Sequence, residues 1–407
     1  MLKNNRKNRI NHLVPKVTKP ADHVFVFLEV FVNEGGIQSY VKDVFRSYLG
    51  LSEAMRAEVF LLRDSPDIEN PFECDRLKFH YFKTNPDQIG RMRMASALLT
   101  HLLRARPKHV FCGHVHLAAL IRMLCQPLGI PYTVMTHGKE VWKPLPSATK
   151  SSLQKADFIW TVSHYTRDIA SAANQLSRAK IKILPCAVNG DYFTPGVKSA
   201  QLLGRYNLGS AKVLMTVARL WSGDIYKGVD VTIRALPQIL QAYPDVKYLV
   251  IGRGDDQPRL AQMAQEFGVS SCVVFAGFVP NEELVEHYRL ADAYIMPSQE
   301  GFGIVYLEAM ACGVPVLAGD DDGSADPLQN GKLGWRVPHR DPNAVAKACI
   351  EILKGEDERC NGNWLREQAI SHFGFSAFQA RLEKELVHVE TQNYPPGSHE
   401  EYASVIE

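Results

Sequence analysis

No stretch of this 407-residue chain approaches the roughly eighteen consecutive apolar residues of a membrane-spanning helix. Its N-terminal segment lacks the apolar core of a secretory signal peptide. The eight cysteines are Cys74, Cys112, Cys125, Cys186, Cys272, Cys312, Cys349 and Cys360, and no two of them form a Cys-x-x-Cys pair. These absences argue against a disulfide-stapled exported protein and point to a reducing, cytoplasmic setting. Neither sign of charge prevails. A formal net charge of +2 leaves no broad surface for nucleic acid. The exception is local: the first twenty residues hold six Lys or Arg and no acidic residue. Residues 1–22 therefore read as a basic leader, either simply solvated or making a weak electrostatic contact with anionic lipid at the inner face of a membrane.

What the chain does have is apolar material, 46% of its residues, enough for two or three packed domains. Residues 24–32 (Val-Phe-Val-Phe-Leu-Glu-Val-Phe-Val) form a near-continuous apolar run of the kind found in buried parallel strands. Further strands are expected at 57–62, 109–112, 132–136 and 158–162, with helices between them, one over about 88–106. After a turn-rich linker around 189–195 a second series begins, with strands at 213–217, 248–251, 273–275, 293–296 and 314–317. Alternating strands and helices mean doubly wound parallel sheets. The expected organisation is α/β, with one Rossmann-like domain over 23–192 and another over 193–374. A C-terminal helix over 375–390 and a polar tail over 391–407 follow. Two such domains leave a cleft at the carboxyl ends of their strands, where ligands of these folds bind.

Residues 297–316 carry the densest chemistry: Pro-Ser-Gln-Glu-Gly-Phe-Gly-Ile-Val-Tyr-Leu-Glu-Ala-Met-Ala-Cys-Gly-Val-Pro-Val. Glu300, Gly301 and Gly303 make a tight turn after an apolar strand. A short helix runs from Ile304 to about Cys312, with Gly313 and Pro315 as its stop. Glycines let a ligand approach the backbone, and free N–H groups at a helix start attract phosphate. Glu300 and Glu308, separated by seven residues, can accept from the hydroxyls of a sugar or ribose. The segment suits a molecule that carries both a diphosphate and many hydroxyls.

This stretch resembles the E-x7-E segment of retaining glycosyltransferases with the GT-B fold, the GT4-type family, and the resemblance extends over roughly residues 25–390. It implies two Rossmann-like domains facing a cleft, an N-terminal acceptor domain, a C-terminal donor domain and a last helix that crosses back to the first. It implies transfer of a hexose from a nucleotide sugar to an acceptor hydroxyl. UDP-glucose is the first choice of donor and GDP-mannose the second. A lipid-linked saccharide, such as a polyprenyl-diphosphate-linked one in polysaccharide assembly, is the expected acceptor. Glu300 would hold donor-sugar hydroxyls and Glu308 the ribose. Two rival readings are a nucleotide-sugar epimerase and a catalytically silent sugar-nucleotide-binding protein.

The other candidates follow in chain order. Gly35-Gly36 lies between the first strand and first helix, as a plain tight turn or, by the resemblance, as a loop facing the diphosphate and acceptor. His137 in Thr136-His137-Gly138-Lys139-Glu140 ends a first-domain strand, and the resemblance places it beside the transferred sugar. Glu140 and His114 are candidates for the acceptor side. Arg219 and Lys227 are two cations suited to neutralising a diphosphate, and the resemblance assigns them that role. Gly252 opens a glycine-rich loop that lacks the third glycine of a dinucleotide fingerprint. Phe278 and Val279, after Gly277, are base-site candidates, while Gly301, Phe302, Gly303 and Ile304 line the donor diphosphate. The Asp320-Asp321-Asp322 triplet could suggest a metal. A capping or loop role is expected for it instead, and no metal or other cofactor is expected.

Overall fold

The computed structural model describes residues 22–393. The basic leader, but for its last residue, and the end of the polar tail lie outside these described residues.

The first domain is a seven-stranded, all-parallel sheet. Its strands are β1 (His23–Phe27), β2 (Ala57–Leu61), β3 (Leu77–Tyr81), β4 (His109–Cys112), β5 (Tyr132–Thr136), β6 (Phe158–Thr161) and β7 (Ile181–Ile183), in the order β3-β2-β1-β4-β5-β6-β7. The intervening helices are α1 (Gly36–Leu51), α2 (Asp87–Ala105), α3 (Ala118–Cys125), α4 (Ser147–Lys155) and α5 (His164–Asn174). Every residue of β1, β4, β5 and β6 is buried, as expected of central strands covered on both faces.

The second domain opens with the short helix α6 (Ala200–Arg205) and holds six parallel strands: β8 (Lys212–Val217), β9 (Val246–Ile251), β10 (Val273–Gly277), β11 (Ala293–Met296), β12 (Val316–Gly319) and β13 (Trp335–Val337). Their order is β10-β9-β8-β11-β12-β13. The helices are α7 (Val229–Ala242), α8 (Gln257–Glu266), α9 (Asn281–Tyr288), α10 (Ile304–Ala311), α11 (Pro342–Lys354), α12 (Gly362–Phe373) and α13 (Phe375–Asn393). In each sheet the strand order reverses at the first strand of the domain, which sets the ligand-binding crevice at the carboxyl ends of β1/β4 and of β8/β11.

The last helix returns to the first domain. Phe378 of α13 stands edge-on to Tyr40 of α1 at 5.9 Å, and Gln379 Nε2 donates to the Gly50 carbonyl at 3.1 Å. α13 runs to Asn393, three residues past the end expected at 390.

Three sequence expectations need correction. The apolar run at 24–32 is not one strand, because β1 stops at Phe27. The buried Asp64 carboxylate accepts from the N–H groups of Val30, Phe31 and Val32 at 2.7, 2.8 and 2.7 Å, and this fan of bonds turns the chain out of the sheet. Strands β3 and β13 were not expected. Both are edge strands, and their partly polar sequences Leu-Lys-Phe-His-Tyr and Trp-Arg-Val lack the apolar run of a central strand.

Candidate functional site

The site grows from the end of β11. The chain leaves the sheet at Met296 and turns into α10 through Gly303, whose φ of +90° is a left-handed conformation that favours glycine. No side chain caps α10, so the amide groups at its start face outward as donors. The turn is held from below by Tyr306, whose hydroxyl donates to the Met296 carbonyl at 2.8 Å and meets Ser298 Oγ at 3.0 Å. Asp322 holds it from the side: its carboxylate accepts from Glu300 N at 2.6 Å and from Ser324 N at 2.9 Å. Burial lifts the Asp322 pKa to about 7 despite those hydrogen bonds. Asp322 thus acts as a loop brace. Among the described residues no group of three or more His, Cys, Asp or Glu is placed to hold a metal.

Glu300 projects from this turn toward Lys227, with Lys227 Nζ 2.6 Å from Glu300 Oε1. Both side chains are largely covered, at 17% and 15% exposure. Burial alone would lower the Lys227 pKa, but the Glu300 charge overcomes it and holds the ammonium above the usual lysine range. The first domain adds a third cation that sequence reasoning missed. Lys139 Nζ lies 2.9 Å from the centre of the Tyr226 ring, across the cleft. Partial burial pushes its pKa down to about 8, with Lys227 adding to the fall and Glu300 opposing it. Arg219 is more open. It pairs with Asp224 at 3.0 Å and stacks on Trp221.

First-domain loops complete the cleft. His137 Nε2 lies 3.0 Å from the Gly113 carbonyl, which can only accept, so that nitrogen carries the hydrogen. Its Nδ1 is buried and has no hydrogen-bond partner among the described residues. Glu140 accepts from His137 N at 2.5 Å and so holds the loop. His114 stacks beside His137 at 6.4 Å, and burial together with that neighbour lowers its pKa to about 4. Gly138 and Gly301 meet backbone to backbone, and a Cβ on Gly301 would collide with the His137 carbonyl oxygen. A Cβ on Gly36 would stand 3.8 Å from Ile304 Cγ2, so the Gly35-Gly36 turn faces the start of α10.

Farther along the cleft, Glu308 is partly buried and accepts from the Tyr288 hydroxyl at 2.7 Å. Burial raises its pKa to about 7, the Tyr288 bond opposing and the Asp43 charge adding to the rise. Phe302 is buried in the core beside Phe373, so the donor side meets its backbone and not its ring. At the rim Phe278 is half exposed and stacks under the Arg253 guanidinium at 4.7 Å, while the Val279 side chain is buried. Gly252 has a φ of +134°, and a side chain there would strike the Ala218 carbonyl. The structure thus brings together Glu300, Lys227, Lys139, Gly301 and the His137-Gly138 loop. Arg219 lines a small pocket with Lys227 and Asp224 at the edge of that centre, while Glu308 and the Phe278–Arg253 pair stand apart from it.

Two family profiles match this chain in succession. One, described as Glycosyltransferase Family 4, matches residues 35–192, and one, described as Glycosyl transferases group 1, matches residues 211–355. The chain belongs to the GT4-type glycosyltransferases with the GT-B fold. A GDP-mannose-dependent alpha-(1-6)-phosphatidylinositol monomannoside mannosyltransferase from Mycolicibacterium smegmatis is 38% identical over 232 residues, covering 54% of this chain and 59% of that relative. A D-inositol 3-phosphate glycosyltransferase from Corynebacterium jeikeium is 35% identical over 230 residues, covering 54% and 53%. The matched stretch thus spans little more than half the length of these relatives. Among solved structures, the Anabaena protein HepE in complex with UDP superposes with a TM-score of 0.74 at 16% identity, covering 90% of this chain and 100% of that one. A sucrose-phosphate synthase from Thermosynechococcus elongatus gives 0.73 at 22% identity, covering 91% and 99%. These likenesses show the fold.

Proposed function

We propose that this glycosyltransferase moves a hexose from a nucleotide sugar to a hydroxyl of a phosphate-bearing lipid acceptor, with retained anomeric configuration. The observation that carries the reading is the Glu300–Lys227 pair at the uncapped start of α10. A departing diphosphate needs positive charge and N–H donors, and both stand there. Lys227 is engaged by Glu300. A bound donor would divide the two: the diphosphate takes Lys227, and the sugar hydroxyls take the carboxylate. Arg219 and Lys139 add charge from either side. No side chain in the cleft stands out as a covalent nucleophile, so acceptor attack on the face the diphosphate leaves, with a phosphate oxygen taking the proton, accounts for retention. In this reading the cations do the work a metal would do, and transfer persists in EDTA.

Mannose from GDP-mannose is the donor we favour, because relatives with 37–38% identity carry that donor in their names. UDP-glucose, ranked first on sequence alone, becomes second. For the acceptor, a cavity of about 240 Å³ opens at the carboxyl ends of β1, β2 and β3, where Arg63, Lys83 and Arg91 stand beside Glu29 and Asp87. That mixed charge suits a phosphate flanked by hydroxyls, as in a phosphoinositol headgroup. The test is a thermal-shift panel of GDP-mannose, UDP-glucose and the free nucleotides. Transfer assays with phosphatidylinositol and product NMR then follow. A donor at about 100 times its dissociation constant adds about 2.7 kcal/mol of stability. An inverted β product, or no shift with any nucleotide sugar, would overturn the reading.

A further inference from the structure

Helix α2 is apolar on two faces. Met94, Leu98 and Leu102 point inward and are buried. On the opposite side Ile89, Met92, Leu99 and Leu103 are 48%, 73%, 38% and 51% exposed. Their spacing of three, seven and four residues, with Ser96 inside the gap, keeps them on one stripe of the helix. The helix packs beside α3, which exposes Met123 at 62%. Scattered exposed apolar residues are ordinary, but a continuous stripe over four turns marks a contact surface.

The charge around the stripe says what the contact is. Residues 88–139 contain no Asp or Glu, a run of 52 in a chain with 44 acidic residues, and they hold seven Lys or Arg. Arg93 and Arg104 are exposed and follow the stripe along one flank. An apolar stripe with cations along one flank and no carboxylate on its helix beyond Asp87 is complementary to an anionic bilayer, where the apolar side chains enter the headgroup boundary and the cations meet lipid phosphates. We propose that the outer face of α2, with Met123 beside it, docks this enzyme on an anionic lipid surface. The N-terminal end of α2 supplies Asp87 and Arg91 to the rim of the acceptor cavity. A bilayer under α2 therefore delivers a headgroup to that cavity, a consequence that rests on the proposed lipid acceptor, whereas the docking itself does not.

Flotation of the full chain with mixed phosphatidylglycerol–phosphatidylcholine vesicles, and with phosphatidylcholine alone, tests the docking without any substrate. The full chain should float with the anionic vesicles and be released as salt rises. Met92→Glu combined with Leu103→Glu should weaken binding at least about tenfold. Arg93→Ser with Arg104→Ser should weaken it about twenty-five-fold, each cation contributing about fivefold near such a surface. Both variants should melt like the parent and bind nucleotide normally. The proposal is overturned if the full chain ignores anionic vesicles or if the helix variants float like the parent. It is equally overturned if replacing the cations of residues 1–20 abolishes binding while the helix variants retain it. Light scattering that finds a dimer split by Met92→Glu/Leu103→Glu, without vesicle binding, would assign the face to a second copy of the chain and reject the lipid.

Discussion

At the scale of single residues, the centre of the site is a balance of charges. Lys227, Glu300 and Lys139 share a small space, and removing one changes the others. Lys227→Ala should lower turnover about a hundredfold or more, because its contact strengthens as the diphosphate departs. Lys139→Met keeps the stem over Tyr226 and removes only charge. It should cost about tenfold in turnover and leave melting unchanged. Steady-state rates at saturating donor decide both, and a Lys139→Met enzyme with full turnover would make that lysine a mere surface contact. Glu308 yields a pH prediction. Its folded pKa of about 7 lies above the ordinary value of 4.5. Below 4.5 the carboxyl is protonated in both states and costs nothing. As pH rises toward 7 the unfolded chain ionises first, and stability is lost. Glu308→Gln escapes that loss, so it should melt like wild type at about pH 4 and be more stable at about pH 8, by up to about 3 kcal/mol. Melts at both values measure it, and a gap independent of pH would show that burial does not hold the proton. Glu300 and His137 could be singled out as candidates because each lies in a local motif, and Lys227 through the resemblance; the fold brings the three to one cleft. Lys139 could not be singled out, since only the folded chain carries it over the Tyr226 ring.

At the scale of elements, the loop from β11 to α10 is built on close approach. Gly301 touches the His137 carbonyl and Gly138 of the other domain, and its own carbonyl accepts from Ser163 Oγ at 2.6 Å. A methyl group there has no room unless one loop retreats. Gly301→Ala should therefore leave each sheet intact but push the two loops apart, lowering turnover at least about tenfold with little change in melting. Rates and thermal melts on the same preparation test this, and unchanged turnover would mean that the loops separate during the reaction in any case. Central strands and α2 could be read from periodicity, because burial on both faces imposes apolar runs. Where β1 ends could not be read. Residues 28–32 are as apolar as the strand before them, and the turn depends on Asp64, a carboxylate distant in sequence. Edge strands β3 and β13 escaped for the converse reason: their outer sides need no apolar cover.

At the scale of the whole molecule, the domains stand closed, and the closure has an identifiable clasp. Asp326 of the second domain accepts from both His164 N and His164 Nδ1, at 3.0 and 2.8 Å. His164 is the first residue of α5, so a carboxylate from one domain caps a helix of the other, where the helix dipole favours negative charge. Ser163 Oγ and Thr166 Oγ1 reach the Gly301 carbonyl alongside it. None of this was legible in the sequence, since every partner lies more than a hundred residues away. The clasp keeps His137 and Lys139 opposite Glu300, so loosening it should reduce catalysis without touching a cleft residue. Asp326→Ala removes both hydrogen bonds to His164 together. It should cost about 1–2 kcal/mol of closure, which is roughly a tenfold loss of turnover. The same variant should show a larger radius of gyration by small-angle scattering when empty, and saturating nucleotide should reverse part of the expansion if the donor bridges the two domains. Scattering and turnover both indistinguishable from wild type would show that α13 and the backbone contact at Gly301 hold the domains closed without help from Asp326.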